Sequence, residues 1–195
     1  MRTAVIILAA GAARRMSQPK MLLPFGNSSI LEKLIEEVKA SNIDSICLVS
    51  GYYHQVIQER MGVGTFSLIF NEQWQSGMAS SIVKGIEYLQ KQGAGFDSVI
   101  IAVSDQPYLN RDLLLNMLQL QRDSGKGIVA ASYAGINGTP VLFTKAYFSK
   151  LEKLTGDQGA RSILQQYPDD LITIDFPLGE IDIDTEEDYN KFLHK

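Results

Sequence analysis

Thr3-Ala4-Val5-Ile6-Ile7-Leu8-Ala9-Ala10-Gly11 is the stretch that decides the fold. It is an apolar run rich in branched side chains that breaks at glycine and is followed by Arg14, Arg15 and Lys20. A bilayer span needs about 20 apolar residues, and a secretory signal needs a longer apolar core and a small-residue cleavage site. Neither fits, and no membrane attachment is expected; the run reads as a buried strand. Runs of the same kind recur at Ser45 to Ser50, Thr65 to Asn71, Ser98 to Ser104, Gly127 to Tyr133, Thr139 to Phe143 and Leu171 to Phe176.

The segments between these runs have helical spacing. In Ser29 to Ala40, Ile30, Leu31, Leu34, Ile35 and Val38 form one stripe, with Glu32, Lys33, Glu36, Glu37 and Lys39 opposite, as in a helix lying on a sheet. Similar stripes occupy Gln55 to Met61, Ser80 to Gln92, Arg111 to Asp123, Ala146 to Lys153 and Ala160 to Tyr167. The acid-rich start of Thr185 to His194 suits a further helix, whose N-terminal dipole favours negative charge. Strands alternating with helices predict the α/β class: a mainly parallel, Rossmann-like sheet flanked by helices. No linker, repeat or low-complexity tract divides the chain, so a single domain over residues 1–195 is expected.

Composition narrows the function. The hydrophobic share of 45% and charged share of 21% are those of a globular chain. A net charge of −4 argues against a nucleic-acid binder, which needs clustered cations to displace counterions. Cys47 is the only cysteine and sits in an apolar run, which excludes an intrachain disulfide and fits a cytoplasmic protein. His54 and His194 lack metal-ligand spacing.

In open α/β sheets ligands bind beyond the carboxyl ends of the strands, so the loops there are where chemistry belongs. The first of them, Leu8-Ala9-Ala10-Gly11-Ala12-Ala13-Arg14-Arg15-Met16-Ser17-Gln18-Pro19-Lys20, joins small residues to cations. Small residues let backbone approach phosphate oxygens, and Arg and Lys supply donors for the same anion. It is neither a Walker loop nor a GxGxxG turn. Any one of Arg14, Arg15 or Lys20 alone reads better as a solvated cation after a tight turn. Asp105, in Val103-Ser104-Asp105-Gln106-Pro107, is a carboxylate at a strand's end that suits either a turn or a metal. Ser76-Gly77-Met78-Ala79-Ser80-Ser81 is a glycine turn opening a helix, suited to an anion, a base, or an ordinary cap. Gly156-Asp157-Gln158-Gly159-Ala160-Arg161 reads as a loop over an anionic acceptor, or as Asp157 capping the next helix and pairing with Arg161.

Taken together, Leu-Ala-Ala-Gly, Arg15-Met16 and Pro19-Lys20-x-Leu22-Leu23-Pro24 resemble the signature of the MobA-like NTP transferases, nearest to their molybdenum cofactor cytidylyltransferase (MocA-like) branch. Asp105-Gln106-Pro107, Gly77-Met78-x-Ser80-Ser81, Asn137-Gly138-Thr139-Pro140, Gly156-Asp157-x-Gly159-Ala160-Arg161 and Asp182-Ile183-Asp184-Thr185 continue the likeness, which runs from Leu8 to Asp188. The chain departs from the family pattern at Ala13 (usually Ser), Ser17 (Gly), Asn137 (often Arg) and Glu186 (Pro).

The resemblance implies a glycosyltransferase-A type fold, the one shared with nucleotide-diphospho-sugar transferases. It implies Mg2+ as cofactor, CTP or another NTP as donor, and a molybdopterin-type acceptor. A xanthine-dehydrogenase-type apoenzyme, or its maturation factor, would receive the product. It also implies that Arg15, Lys20 and Asp105 are catalytic. Leu8, Ala9, Ala10, Gly11, Arg15, Lys20, Ser76, Gly77, Ser80, Ser81 and Asp105 would bind nucleotide. Gly138, Pro140, Asp157 and Arg161 would face the acceptor, with Asp105 and Asp184 as metal ligands and Asp182 the alternative to Asp184. Rival readings are a transferase for a sugar phosphate or methylerythritol phosphate, a cofactor carrier without catalysis, and a dinucleotide-binding oxidoreductase.

Overall fold

The computed structural model describes residues 1–12, 18–62, 64, 66–93, 95–157, 159–181, 183 and 187–189. In chain order the elements are β1 (Thr3–Ala9), β2 (Pro24–Phe25), β3 (Ser28–Ser29), α1 (Ile30–Ala40), β4 (Ser45–Ser50), α2 (His54–Met61), β5 (Ser67–Phe70), α3 (Met78–Lys91), β6 (Ser98–Val103), α4 (Arg111–Ser124), β7 (Ile128–Tyr133), β8 (Ile136–Thr144), α5 (Phe148–Leu151), α6 (Arg161–Gln166) and β9 (Leu171–Asp175). Seven strands form one sheet in the order β5-β4-β1-β6-β8-β7-β9, and β2 with β3 makes a small separate ribbon. The α/β class and the mainly parallel sheet expected from the sequence are both observed. Of the acidic C-terminal segment, residues 187–189 are helical.

β8 is the exception to the parallel pattern, running antiparallel to both β6 and β7. The reason is local. Ala134 and Gly135, at φ 47° and 74°, make a two-residue hairpin turn between β7 and β8, and such a turn can only join antiparallel neighbours. Every other step along the sheet is parallel.

Helices cover both faces, so β1 is buried along its whole length and reads as a continuous apolar run. Val5, Ile7 and Ala9 pack with Leu31, Leu34 and Ile35 of α1 and Leu113, Leu114 and Met117 of α4. Ala4, Ile6 and Leu8 pack on the other face with Ile82, Ile86 and Leu89 of α3. A Cβ on Gly85 would lie 2.9 Å from two carbons of Ile6, so glycine lets α3 sit close on β1. Cys47 is fully buried in the same cluster, and burial pushes its thiol up to about 12, which removes it from nucleophilic chemistry. No described helix is long and apolar enough to cross a membrane.

Caps fix where the helices begin. Ser29 opens α1 with a reciprocal capping box: its hydroxyl accepts from Glu32 N, and the Glu32 carboxylate accepts from Ser29 N at 2.6 Å. Asn110 opens α4 by accepting from Leu113 N at 2.9 Å.

At the far end of the sheet, Asp170 joins three segments. Its carboxylate accepts from Tyr147 Oη at 2.6 Å and from Gly127 N at 2.8 Å, just before β7. The Tyr147 hydroxyl, then the Gly127 amide, hold the Asp170 carboxyl below its ordinary 3.8. A depressed carboxylate stabilises the fold above its unfolded pKa, and that stability is lost as pH falls through the folded value. Asp170→Ala is expected to cost roughly 1–3 kcal/mol at neutral pH. In urea unfolding, the gap to the parent protein should narrow once pH drops below about 4; a gap that held constant into acid would exclude the charged form as the source.

Candidate active site

β4, β1 and β6 are adjacent and parallel, so their carboxyl ends meet at one edge of the sheet. A cavity of about 470 Å³ opens there. It is lined by Leu8 to Gly11 at the end of β1, Val103 to Asp105 at the end of β6, and Lys20, Met21, Trp74, Gln75, Gly77, Met78, Ser81 and Asp157.

Lys20 and Asp105 are brought together across 85 residues of sequence. Lys20 Nζ donates to Asp105 Oδ2 at 2.7 Å, with the two side chains 17% and 25% exposed. Lys20 opens a single 3-10 turn, Lys20–Leu22. Met21, Leu22 and Leu23 are buried, so the apolar half of Lys-Met-Leu-Leu anchors the loop while the lysine faces the cavity.

Asp105 is held from both sides. Ser104 N donates to Leu8 O at 3.1 Å, prolonging the β1–β6 pairing up to the site. Gln106 is 4% exposed, and its Nε2 donates to Gly179 O at 3.0 Å and to Tyr133 Oη at 3.2 Å. Its Oε1 is buried without a hydrogen-bond partner among the described residues, a cost accepted to fix this loop. Leu23, Ile30 and Ile183 form a small third cluster that brings the end of the Lys20 loop against Ile183 near the C-terminus. Tyr189 Oη donates to Pro24 O at 2.7 Å, adding a second tie between them.

The paired serines do different things. Asn71 is buried, and its Nδ2 donates to Ser80 Oγ at 2.9 Å and Ser81 Oγ at 3.0 Å. Ser80 Oγ is close to Gly77 O (2.8 Å) and Gln73 O (2.9 Å), so its hydroxyl closes the turn, whereas Ser81 lines the strand-edge cavity. Ser76 and Ser80 line a second cavity of about 390 Å³ on the other side of this turn, beside Glu72, Lys84, Glu87 and Glu152. Two opening amides of α3 are already used: Ala79 N donates to Gly156 O and Ser80 N to Gly77 O.

Of the remaining expected residues, Leu8, Ala9, Ala10, Gly11, Lys20, Gly77, Ser81, Asp105 and Asp157 share the strand-edge cavity. Gly138 and Pro140 lie on β8 at an irregularity where the partners of Ala130 and Ala131 jump from Val141 to Gly138, and Arg161 begins α6; none of the three is among the lining residues. Ala160 is the N-cap of α6 and no side chain caps the helix, so Asp157 does not serve as one. Arg15, Asp182 and Asp184 fall outside the described residues. Trp74 and Met78 also line the cavity, as do Met21, Gln75 and Ser104. Gln106 was visible only as the middle of Asp-Gln-Pro, because its partners lie 27 and 73 residues away.

Residues 5–171 match the MobA-like NTP transferase domain. The chain belongs to that family. It is 29% identical over 196 residues to the purine catabolism protein PucB of Bacillus subtilis, covering 95% of this chain and 93% of PucB. It is 28% identical over 200 residues to the nicotine blue oxidoreductase of Paenarthrobacter nicotinovorans, covering 96% and 95%. Among solved structures, Rv0371c of Mycobacterium tuberculosis superposes with a TM-score of 0.85 at 22% identity over the whole of both chains, and its complex with manganese with 0.80 at 21%. At this identity the structural likeness establishes the nucleotidyltransferase fold.

Gly77 packs against Gly156 and Asp157 at the cavity wall. It has φ +100°, and a Cβ there would meet Gly156 O at 2.5 Å and the Asp157 carboxylate. Gly77→Ala should therefore destabilise the protein by ~1–3 kcal/mol through backbone strain and the forced contact. An unchanged urea midpoint would show that the 154–157 turn does not bear on Gly77.

Proposed function

We propose that this NTP transferase passes a nucleoside monophosphate, CMP from CTP in the first instance, to a phosphorylated acceptor of the molybdopterin type, releasing pyrophosphate. The observation that carries the reading is the Lys20–Asp105 pair set against the small residues Ala9 to Gly11 at the sheet edge. One supplies a cation for phosphate oxygens and the other a carboxylate for a metal, and backbone without bulky side chains lies beside both.

The residues fit a divalent ion of the magnesium kind. The described residues contain no group of three carboxylate, histidine or cysteine ligands. Magnesium is commonly held by one or two carboxylates, with phosphate oxygens and water completing the shell. Asp105 faces the cavity, and Asp184 would be its companion. The solved manganese complex of Rv0371c supports a divalent ion on this fold. When bound, such an ion would draw charge from the phosphate oxygens.

Lys20 and Arg15 would offset the charge that grows on the departing pyrophosphate. An acceptor phosphate oxygen attacks the α-phosphorus; the new P–O bond forms as the bond to pyrophosphate breaks. A phosphate oxygen is already anionic at neutral pH, so no side chain needs to remove a proton, and the protein's contribution is alignment and charge. Leu8-Ala9-Ala10-Gly11 favours CTP, since Leu-Ala-Gly-Gly marks the guanylyl branch. A xanthine-dehydrogenase-type apoenzyme or its maturation factor is the proposed recipient, in the cytoplasm.

The relative named nicotine blue oxidoreductase favours a second reading, reduction of a dye-like substrate by a nicotinamide cofactor. The chain has no GxGxxG turn for such a cofactor. One assay separates the readings: pyrophosphate release from CTP, GTP, ATP or UTP with molybdenum-loaded molybdopterin, with and without magnesium, beside NADH or NADPH oxidation with nicotine blue. Magnesium-dependent release with CTP is expected, and Asp105→Ala should lower it by about 10²–10³-fold with the fold intact by circular dichroism. Release with GTP instead would keep the chemistry and change the base. Hydride consumption with no pyrophosphate from any NTP would overturn the transferase reading, and near-normal turnover by the variant would overturn the metal role of Asp105.

A further inference from the structure

Lys20 and Asp105 each have two uses, and the two uses exclude one another. In the proposed reaction Lys20 belongs to the triphosphate and Asp105 to a divalent ion. In the structure they hold each other at 2.7 Å. We propose that Lys20 is a latch on the metal site: it occupies the Asp105 carboxylate until a triphosphate draws it away, so the protein takes up nucleotide and divalent ion together and does not bind the bare ion first. The proposal rests on the metal role of Asp105 given above and adds the order and coupling of binding.

Three features support a latch over an incidental surface pair. First, the two side chains are only 17% and 25% exposed, so solvent screens their attraction less than it would on an open surface. A dication reaching Asp105 Oδ2 would meet the ammonium already there. Second, only one partner is built to move. The Asp105 loop is tied down by Ser104 N to Leu8 O and by the buried Gln106 amide on Gly179 and Tyr133. The Lys20 backbone is likewise anchored by the buried Met21, Leu22 and Leu23, which leaves the movement to the four-carbon lysine stem alone. Third, the place to which Lys20 would swing is the same cavity, since Lys20, Asp105 and the Ala9-Ala10-Gly11 backbone all line it. A triphosphate with several negative charges outcompetes one carboxylate for the ammonium, and the carboxylate then faces the ion that accompanies the nucleotide. By linkage the effect is reciprocal: whatever factor the triphosphate adds to metal affinity, the metal adds to triphosphate affinity.

Lysine suits this task better than arginine. A guanidinium would grip the carboxylate through two parallel hydrogen bonds and release it reluctantly, whereas an ammonium is a single mobile point of charge.

The test measures Mn2+ retained by the protein at neutral pH, by the loss of the free-ion electron paramagnetic resonance signal, with no nucleotide present. Lys20→Met should bind the bare ion roughly tenfold more tightly than the parent protein, and adding Asp105→Asn to it should remove that gain. Lys20→Arg, which keeps the charge, should bind the bare ion no better than the parent. In the parent protein, inorganic tripolyphosphate or CTP should bring on Mn2+ that Asp105→Asn does not retain; this arm stands even if Lys20→Met fails to fold. If CTP recruits Mn2+ through Asp105 but Lys20→Met binds the bare ion no better than the parent, the metal role survives and the latch is overturned. If neither CTP nor tripolyphosphate recruits Asp105-dependent Mn2+, the metal role falls and the latch falls with it.

Discussion

The side-by-side parallel pairing of β4, β1 and β6 is the constraint on which the rest depends. Parallel strands deliver their carboxyl ends to one edge, and the register places Leu8 opposite both Val49 and Val103. The loops that follow, at Ala10-Gly11, Gly51 and Ser104-Asp105, are therefore neighbours before any loop chemistry is specified. The pairing is secured by burial from both faces, and each buried branched side chain contributes about 1.5–3 kcal/mol. Gly51 shows how tight the edge is: a Cβ there would lie 2.6 Å from both Ala10 O and Trp74 Cβ. Trp74 thus reaches the cavity because the residue beneath it has no side chain.

A sheet edge alone leaves loops free, and short apolar anchors make these loops definite. Lys20 is followed by three buried residues, and Asp105 by a buried amide with two partners. Ile183, fully buried against Leu23 and Ile30, stands between the two aspartates of the C-terminal motif. Lys20 and Asp105 are thus each one position from a buried group that fixes their backbone. This arrangement lets charged side chains face a cavity without having to hold their own loops in place.

That logic also explains what could be read from the chain and what could not. β1, β4 and β6 were legible because strands covered on both faces are apolar throughout, and α1 because one stripe is apolar and the other charged. The reversal at β8 was written in Ala134-Gly135, but a turn with two positive φ values is a weak signal when only one of its residues is glycine. Lys20 and Asp105 were legible as residue types at strand ends; their direct contact was not, since nothing local links positions 85 apart. Ser80 and Ser81 could not be told apart from sequence. Successive residues on a helix point about 100° apart, and the buried Asn71 side chain donates to both hydroxyls; it is the approach of Ser80 Oγ to Gly77 O and Gln73 O that shows which one closes the turn, while Ser81 lines the strand-edge cavity.

The two cavities flanking the Asn71–Gly77 turn are of similar size, so volume does not decide which one an anionic nucleotide enters. Charge does. Among the described residues, the 390 Å³ cavity is edged by Glu72, Glu87 and Glu152 against one cation, Lys84, which is itself paired with Glu72 at 3.4 Å. The 470 Å³ cavity has Asp105 and Asp157 as its carboxylates, and Asp105 is already neutralised by Lys20. A chain with a net charge of −4 therefore repels anions from one side of the turn and tolerates them on the other. Repulsion between like charges in a partly enclosed space is stronger than on open surface, because solvent screens it less. The acidic character that argued against nucleic-acid binding thus does not oppose a small anionic substrate at the edge where the parallel strands end, which is where the proposed function puts it.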